Sequence, residues 1–231
     1  MSTVTRGLAN LAQNADRSAT VPLVPGQRFS TTVRLHGISH RFLPGHRIKL
    51  AVSNGYWPII WPAAGAVSLR LFTEGAGLTL PVRSIPAGEA PIDLPPPPPA
   101  AAQSPAYTTI QPGRLERDIH VDQLTGEITH RSFCDGGVFG PIGRIRLDAI
   151  GLETHHVTNR VFRIRPDIAD SARYEMTQSY ELARGDWTIR TEIFDACSCD
   201  STHFHISSKV EAFENGRLVH SKAWEESIPR P

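Results

Sequence analysis

The sequence predicts an all-β chain in two parts joined by a proline-rich spacer, on three observations. Apolar residues recur at every second position in one segment after another, the period of a half-buried strand and not of a helix. Pro-Gly and Asn-Gly pairs punctuate those segments, where proline presets one turn torsion and glycine or asparagine takes the permissive one. Five consecutive prolines, Pro95 to Pro99, separate two strand-rich regions. Such a run has no backbone donors and stiffens into polyproline II, so it cannot join a sheet interior.

Before the spacer, the alternation predicts strands at Gln27–Leu35, Arg47–Ser53, Val67–Phe72 and Leu78–Val82. Gly26 and Gly45 each follow a proline and mark turns, and Thr73–Gly77 reads as a hairpin loop. Only Val4–Arg17 has a helical look. After the spacer come Leu115–Val121 and Glu127–Phe133, split by the turn Asp122–Gly126. A longer strand, His155–Arg165, stops at Pro166. Tyr174–Leu182 and Trp187–Ala196 flank a glycine-containing turn at Ala183–Asp186, and His203–Phe213 and Arg217–Ser227 flank Glu214–Gly216 with its Asn-Gly pair. These last four read as consecutive antiparallel strands. The expected division is residues 1–90, a spacer over 91–106, and a C-terminal β unit over 107–231.

Composition excludes several classes of function. Of 231 residues, 40% are hydrophobic and 20% charged, ordinary values for a globular protein. Lys and Arg number 24 against 23 Asp and Glu, so no basic field draws nucleic acid or anionic lipid. No apolar run approaches the ~20 residues of a membrane-spanning helix, and Met1–Leu11 lacks a signal core. Three cysteines do not make a disulfide framework. A cytoplasmic location is therefore expected, with no nucleic-acid or membrane partner.

No stretch carries an activated nucleophile. The nearest to a Gly-x-Ser-x-Gly elbow, Ala51-Val-Ser-Asn-Gly55, lacks the first glycine and ends a strand. Cys197, Cys199, His203 and His205 fall within nine residues. A turn between the pairs would gather four ligands suited to zinc, but the spacing matches no common zinc module. Structural residues at a hairpin bend are the preferred reading. His36, His40 and His46 read as polar rim residues, and His155-His156 as the start of a strand. Tyr56, Trp57 and Trp61, with Pro58 and Pro62, form a rigid aromatic corner. It suits packing against a neighbouring domain, or stacking of a sugar. No catalytic, cofactor or metal-binding residue is assigned.

Several segments resemble a known family. Val4–Leu11, Pro22–Gly26, Phe42–Ile48 and Ser53–Pro62 resemble the C-terminal region of the CocE/NonD serine hydrolases, which are related to X-Pro dipeptidyl peptidases. Ile150–Glu153, Arg184–Trp187 and Cys199–His205 look like the tail of bacterial members. The resemblance implies a galactose-binding-like jelly-roll, here partial because the family's sandwich begins before the segment matching Val4. It also implies a Ser-Asp-His triad on an α/β-hydrolase domain that precedes the jelly-roll, so no triad residue maps here. The expected role is a non-catalytic β portion that shapes an active site and supports assembly. Its expected partner is a hydrolase domain in trans, and homo-oligomerisation is a further expectation. A free-standing carbohydrate or small-ligand module is the alternative.

Overall fold

The computed structural model describes residues 3–13, 20–21, 23–65, 67–82, 106–136, 140–166 and 168–230. Two compact units divide it, Met1–Ser53 with Pro231, and Asn54–Arg230. The expected proline spacer lies outside the described residues. Among those described there is no helix, and every strand pairing is antiparallel. The chain is all-β.

Nine strands form one open sheet: β1 (Tyr107–Gln111), β2 (Leu115–Val121), β3 (Ile128–Asp135), β4 (Arg144–Leu147), β5 (Leu152–Arg165), β6 (Ile168–Arg184), β7 (Trp187–Cys199), β8 (His203–Glu214) and β9 (Arg217–Pro229). The path runs β1-β4-β5-β6-β7-β8-β9, and the β2-β3 hairpin joins β5 beside β4. From β5 onward the sheet is a meander of long strands joined by short turns. Their glycines have the torsions those turns need: Gly185 has φ +59°, and Asn215 and Gly216 have φ +48° and +79°. The second pair is the Asn-Gly signature of a two-residue hairpin whose twist matches its strands.

The register makes the sheet amphipathic. Directly paired residues share a face, so Phe162, Tyr174, Cys197 and Ile206 stand in one row across β5–β8. His156, Tyr180 and Thr191 form another row, and Ile193, Val210 and Lys222 a third. Met176, Leu182, Phe204, Trp224 and Ile228 fall on this same apolar face. The opposite face carries ion pairs: Arg163–Glu175 at 2.9 Å, Arg190–Glu192 at 2.7 Å and Lys209–Glu211 at 2.8 Å. Exposed pairs like these add little stability, between zero and about 1 kcal/mol each. They mark the side that faces water.

Residues 3–82 depart from expectation. The turns stand where the sequence placed them: Gln27 donates to the Val24 carbonyl at 3.1 Å, and His46 to Leu43 at 3.1 Å. The four expected strands between Gln27 and Val82 form no ladder, and the one bridge among the described residues of this region joins Gln13 to Thr20. Phe29, Ile48, Leu50 and Val52 are exposed. Alternation makes a strand only when a partner supplies hydrogen bonds and apolar cover, and a lone hairpin is marginal. The expected helix over Val4–Arg17 is also absent from its described part, residues 4–13. Its first residues run beside residue 36, with His36 donating to the Arg6 carbonyl at 2.9 Å and the Thr5 hydroxyl donating to the His36 carbonyl at 2.8 Å.

Strands β1 and β4 carried too few residues to be read from sequence. They meet β3 at a junction of three glycines. A Cβ on Gly143 would lie 2.0 Å from the Gln111 carbonyl oxygen, and one on Gly113 would lie 2.3 Å from that of Asp135. Gly143 also has φ +79°. Gly143→Ala is therefore expected to cost more than about 3 kcal/mol or to prevent folding. Gly185→Ala has a positive φ but open space and should cost about 1 kcal/mol. Urea unfolding of the two variants beside the parent checks the contrast.

Candidate functional site

The aromatic corner is built by a turn: the Tyr56 carbonyl accepts the N–H groups of Ile59 and Ile60 at 2.8 and 2.9 Å. This brings Trp57 and Trp61 together edge-on, 5.1 Å between centroids. Both lie on the apolar face of the sheet. Trp57 meets Phe162 of β5 edge-on at 6.0 Å, and Trp61 meets Phe204 of β8 at 5.8 Å. The Trp61 indole N–H donates to the Cys199 thiol at 3.1 Å. Sequence reasoning expected packing against another domain. The partner is this chain's own sheet, where Phe162 of β5 and Phe204 of β8 each receive one indole.

Arg230 fastens the corner in place. Its side chain is 2% exposed. One guanidinium nitrogen donates to the Pro62 carbonyl at 2.6 Å. The other donates to the Asp200 carbonyl at 2.7 Å and to the Asp170 carboxylate at 3.2 Å. The guanidinium also lies over the Phe204 ring, 5.3 Å from its centroid. One side chain thus ties the corner, the start of β6 and the β7–β8 turn to the end of β9. Sequence reasoning passed over it, since a single arginine near a terminus carries no pattern.

The cysteine-histidine cluster separates. Cys197 and Cys199 point to the apolar face, whereas the register places His205 on the polar face opposite Ser227. The His203 and His205 rings stack at 6.4 Å, so the four side chains do not converge. Burial raises the Cys197 thiol pKa, with Cys199 adding to the shift, which keeps that thiol protonated. Asp200 closes the turn by accepting the backbone N–H groups of Thr202 and His203 at 2.7 and 2.8 Å. Those hydrogen bonds, with one from His205, hold its carboxyl well below the usual carboxylate range.

His205 also bridges Asp200, at 2.8 Å, and the Ser227 hydroxyl, at 3.4 Å. The residue types are those of a hydrolytic relay. The serine contact lies beyond normal O–H hydrogen-bond length, however, and the histidine side chain is 48% exposed. A base that does not hold its nucleophile is not a catalytic unit. The arrangement caps a hairpin.

His155 and His156 part company as neighbours on a strand must. His155, on the polar face, contacts the Asp135 carboxylate at 2.7 Å, and Arg144 bridges it to Glu181. Both ring nitrogens are thus engaged in a structural ion network. His156, on the apolar face, stacks on Tyr180 at 4.2 Å and contacts Gln178 and Thr158. Burial lowers its pKa, with smaller contributions from Arg160 and His155. His36, His40 and His46 are exposed, and His40 lies edge-on to Phe42 at 4.9 Å. Ser53 is exposed.

Residues 2–76 match the family model of the X-Pro dipeptidyl-peptidase C-terminal non-catalytic domain. This segment, about a third of the chain, is similar to that family. It includes the Trp-Pro corner and both Pro-Gly turns, and it ends before the nine-stranded sheet begins. No curated protein and no solved structure matches the chain. No helix among the described residues is long and apolar enough to cross a membrane.

Two predictions follow from this geometry. Arg230→Met keeps the aliphatic bulk but leaves the Pro62 and Asp200 carbonyls without their donors. It should cost about 3 kcal/mol and shift the tryptophan emission to the red as the corner lifts. Arg230→Lys, lacking the planar fork, should fall between the two. For His156, the folded pKa is depressed, so the unfolded chain takes up a proton first as pH falls. Stability is then full above about pH 6.5 and declines below it, by at most about 1.4 kcal/mol per pH unit for one proton. His156→Gln should flatten that decline in urea titrations between neutral and mildly acidic pH.

Proposed function

We propose that this chain is a non-catalytic β portion of a CocE/NonD-type hydrolase, which acts on esters, amides or X-Pro peptides. The catalytic α/β domain that it serves is separate or missing from these residues. The chain shapes the active site and supports assembly, with its first part supplying galactose-binding-like jelly-roll elements and the proline run separating these from the C-terminal β unit. A cytoplasmic location belongs to the same reading.

One observation carries the proposal beside the family match. Among the described residues the only buried apolar side chains are Ala172 and Cys199, and no large side chain is fully buried. Tyr107, Leu115, Ile119, Val121, Tyr180 and Ile228 all lie on the apolar face and are all exposed. Among the described residues the corner covers the stretch between Phe162 and Phe204. An uncovered apolar face of this size is the mark of a surface that docks on a larger body. The ligand-module alternative needs free tryptophan faces, yet Trp57 and Trp61 already pack on each other and on the sheet.

The purified chain should not hydrolyse a p-nitrophenyl ester, and it should co-purify with a hydrolase domain of this family when the two are co-expressed. Turnover by the chain alone that is blocked by a serine-directed phosphonate would overturn the proposal.

A further inference from the structure

We propose that the chain forms a two-fold dimer through β9, its sheet continuing into that of a second copy. This inference does not rest on the hydrolase reading. The two edges of the sheet differ. One is made of β1, five residues, and β2, seven. Short edge strands limit unwanted pairing. The other edge is β9, thirteen residues, exposed along its whole length and without an outer partner among the described residues. It carries no proline before Pro229 and no irregularity between His220 and Pro229. An edge this long and regular is a template for another strand.

The outward hydrogen-bonding groups can be assigned. Arg230 donates its backbone N–H inward to Thr202 at 2.7 Å. In an antiparallel ladder the inward groups then alternate back through Ile228, Glu226, Trp224 and Lys222. Ser227, Glu225, Ala223 and Ser221 therefore turn their N–H and C=O groups outward.

The side chains specify a second copy. Arg217 and Lys222 lie in the first half of β9, and Glu225 and Glu226 in the second. Antiparallel pairing of β9 with itself sets the cationic half against the anionic half, whereas parallel pairing would oppose like charges. With the axis at Trp224, Lys222 faces the partner's Glu226 and Trp224 faces the partner's Trp224. Both pairs fall at non-hydrogen-bonded positions, where strands hold side chains closest. Lys222 already lies 4.7 Å from the Trp224 ring centroid of its own chain, and that ring is 42% exposed. The dimer joins the apolar faces of the two sheets across this contact.

Light scattering of the full chain through a dilution series tests this. The wild type should have twice the chain mass. Ala223→Pro removes an outward N–H without touching the β8–β9 ladder, and should be a monomer with an unchanged circular dichroism spectrum. Lys222→Glu and Glu226→Lys should each be monomeric alone and form a mixed dimer when combined. A monomeric wild type, or a dimer that persists in Ala223→Pro or in both charge variants, would overturn the proposal. Should Ala223→Pro fail to fold, the charge pair decides.

Discussion

A guanidinium in an almost dry site holds together pieces of this chain that are far apart in sequence. Arg230 reaches Pro62, 168 residues away, as well as Asp170 and Asp200. Its worth is not mainly Coulombic, because only Asp170 is charged and that carboxylate is 45% exposed. It lies in the carbonyl oxygens of Pro62 and Asp200, which would be left unpaired against an aromatic surface without it. Lysine has no rigid fork with which to reach separate acceptors in one plane. With the carbonyls satisfied, Trp57 and Trp61 can rest on Phe162 and Phe204, which gives the sheet the one stretch of apolar cover that the described residues provide.

An unbroken Trp-Pro cluster in the sequence suggests a contact surface waiting for another domain, and its actual partner is the sheet of this chain. The case for an external partner therefore rests on what the corner leaves bare. The polar face is laced with ion pairs such as Arg163–Glu175, while the apolar face keeps Tyr180 and Ile228 close to half exposed, at 48% and 47%. A sheet solvated on both sides would not divide its residues in this way.

The strands after the spacer were legible because each is long, alternating and bounded by turn residues. Leu115–Val121 matches its observed limits, and β5 to β9 differ from expectation only at their ends. Periodicity served less well before the spacer. Gln27–Leu35 and Arg47–Ser53 have the right pattern but gain no ladder, since a pattern states a preference for one face and not the presence of a neighbour. At the candidate site, the tryptophans were visible as a cluster while Arg230 was not. Cys199 and His203 are near in sequence, yet the β7–β8 turn returns the chain with His205 on the far face from the cysteines.

A single irregularity in β9 had no sequence signal and decides much of the surface. Counting back from Asn215-Gly216, Glu214 pairs with Arg217 and Phe213 with Leu218, but the register then slips so that Ala212 meets His220. One extra residue, Val219, is absorbed there as a bulge. A slip of one sends every later side chain to the other face. Without it, Trp224 and Ile228 would point into the charged face beside Lys209 and His205. With it, they extend the apolar face to the edge of the sheet, and His205 meets Ser227 instead of Glu226. The bulge also fixes which backbone groups of β9 point away from β8. The chemistry of this edge is therefore set by one residue that pairs with nothing.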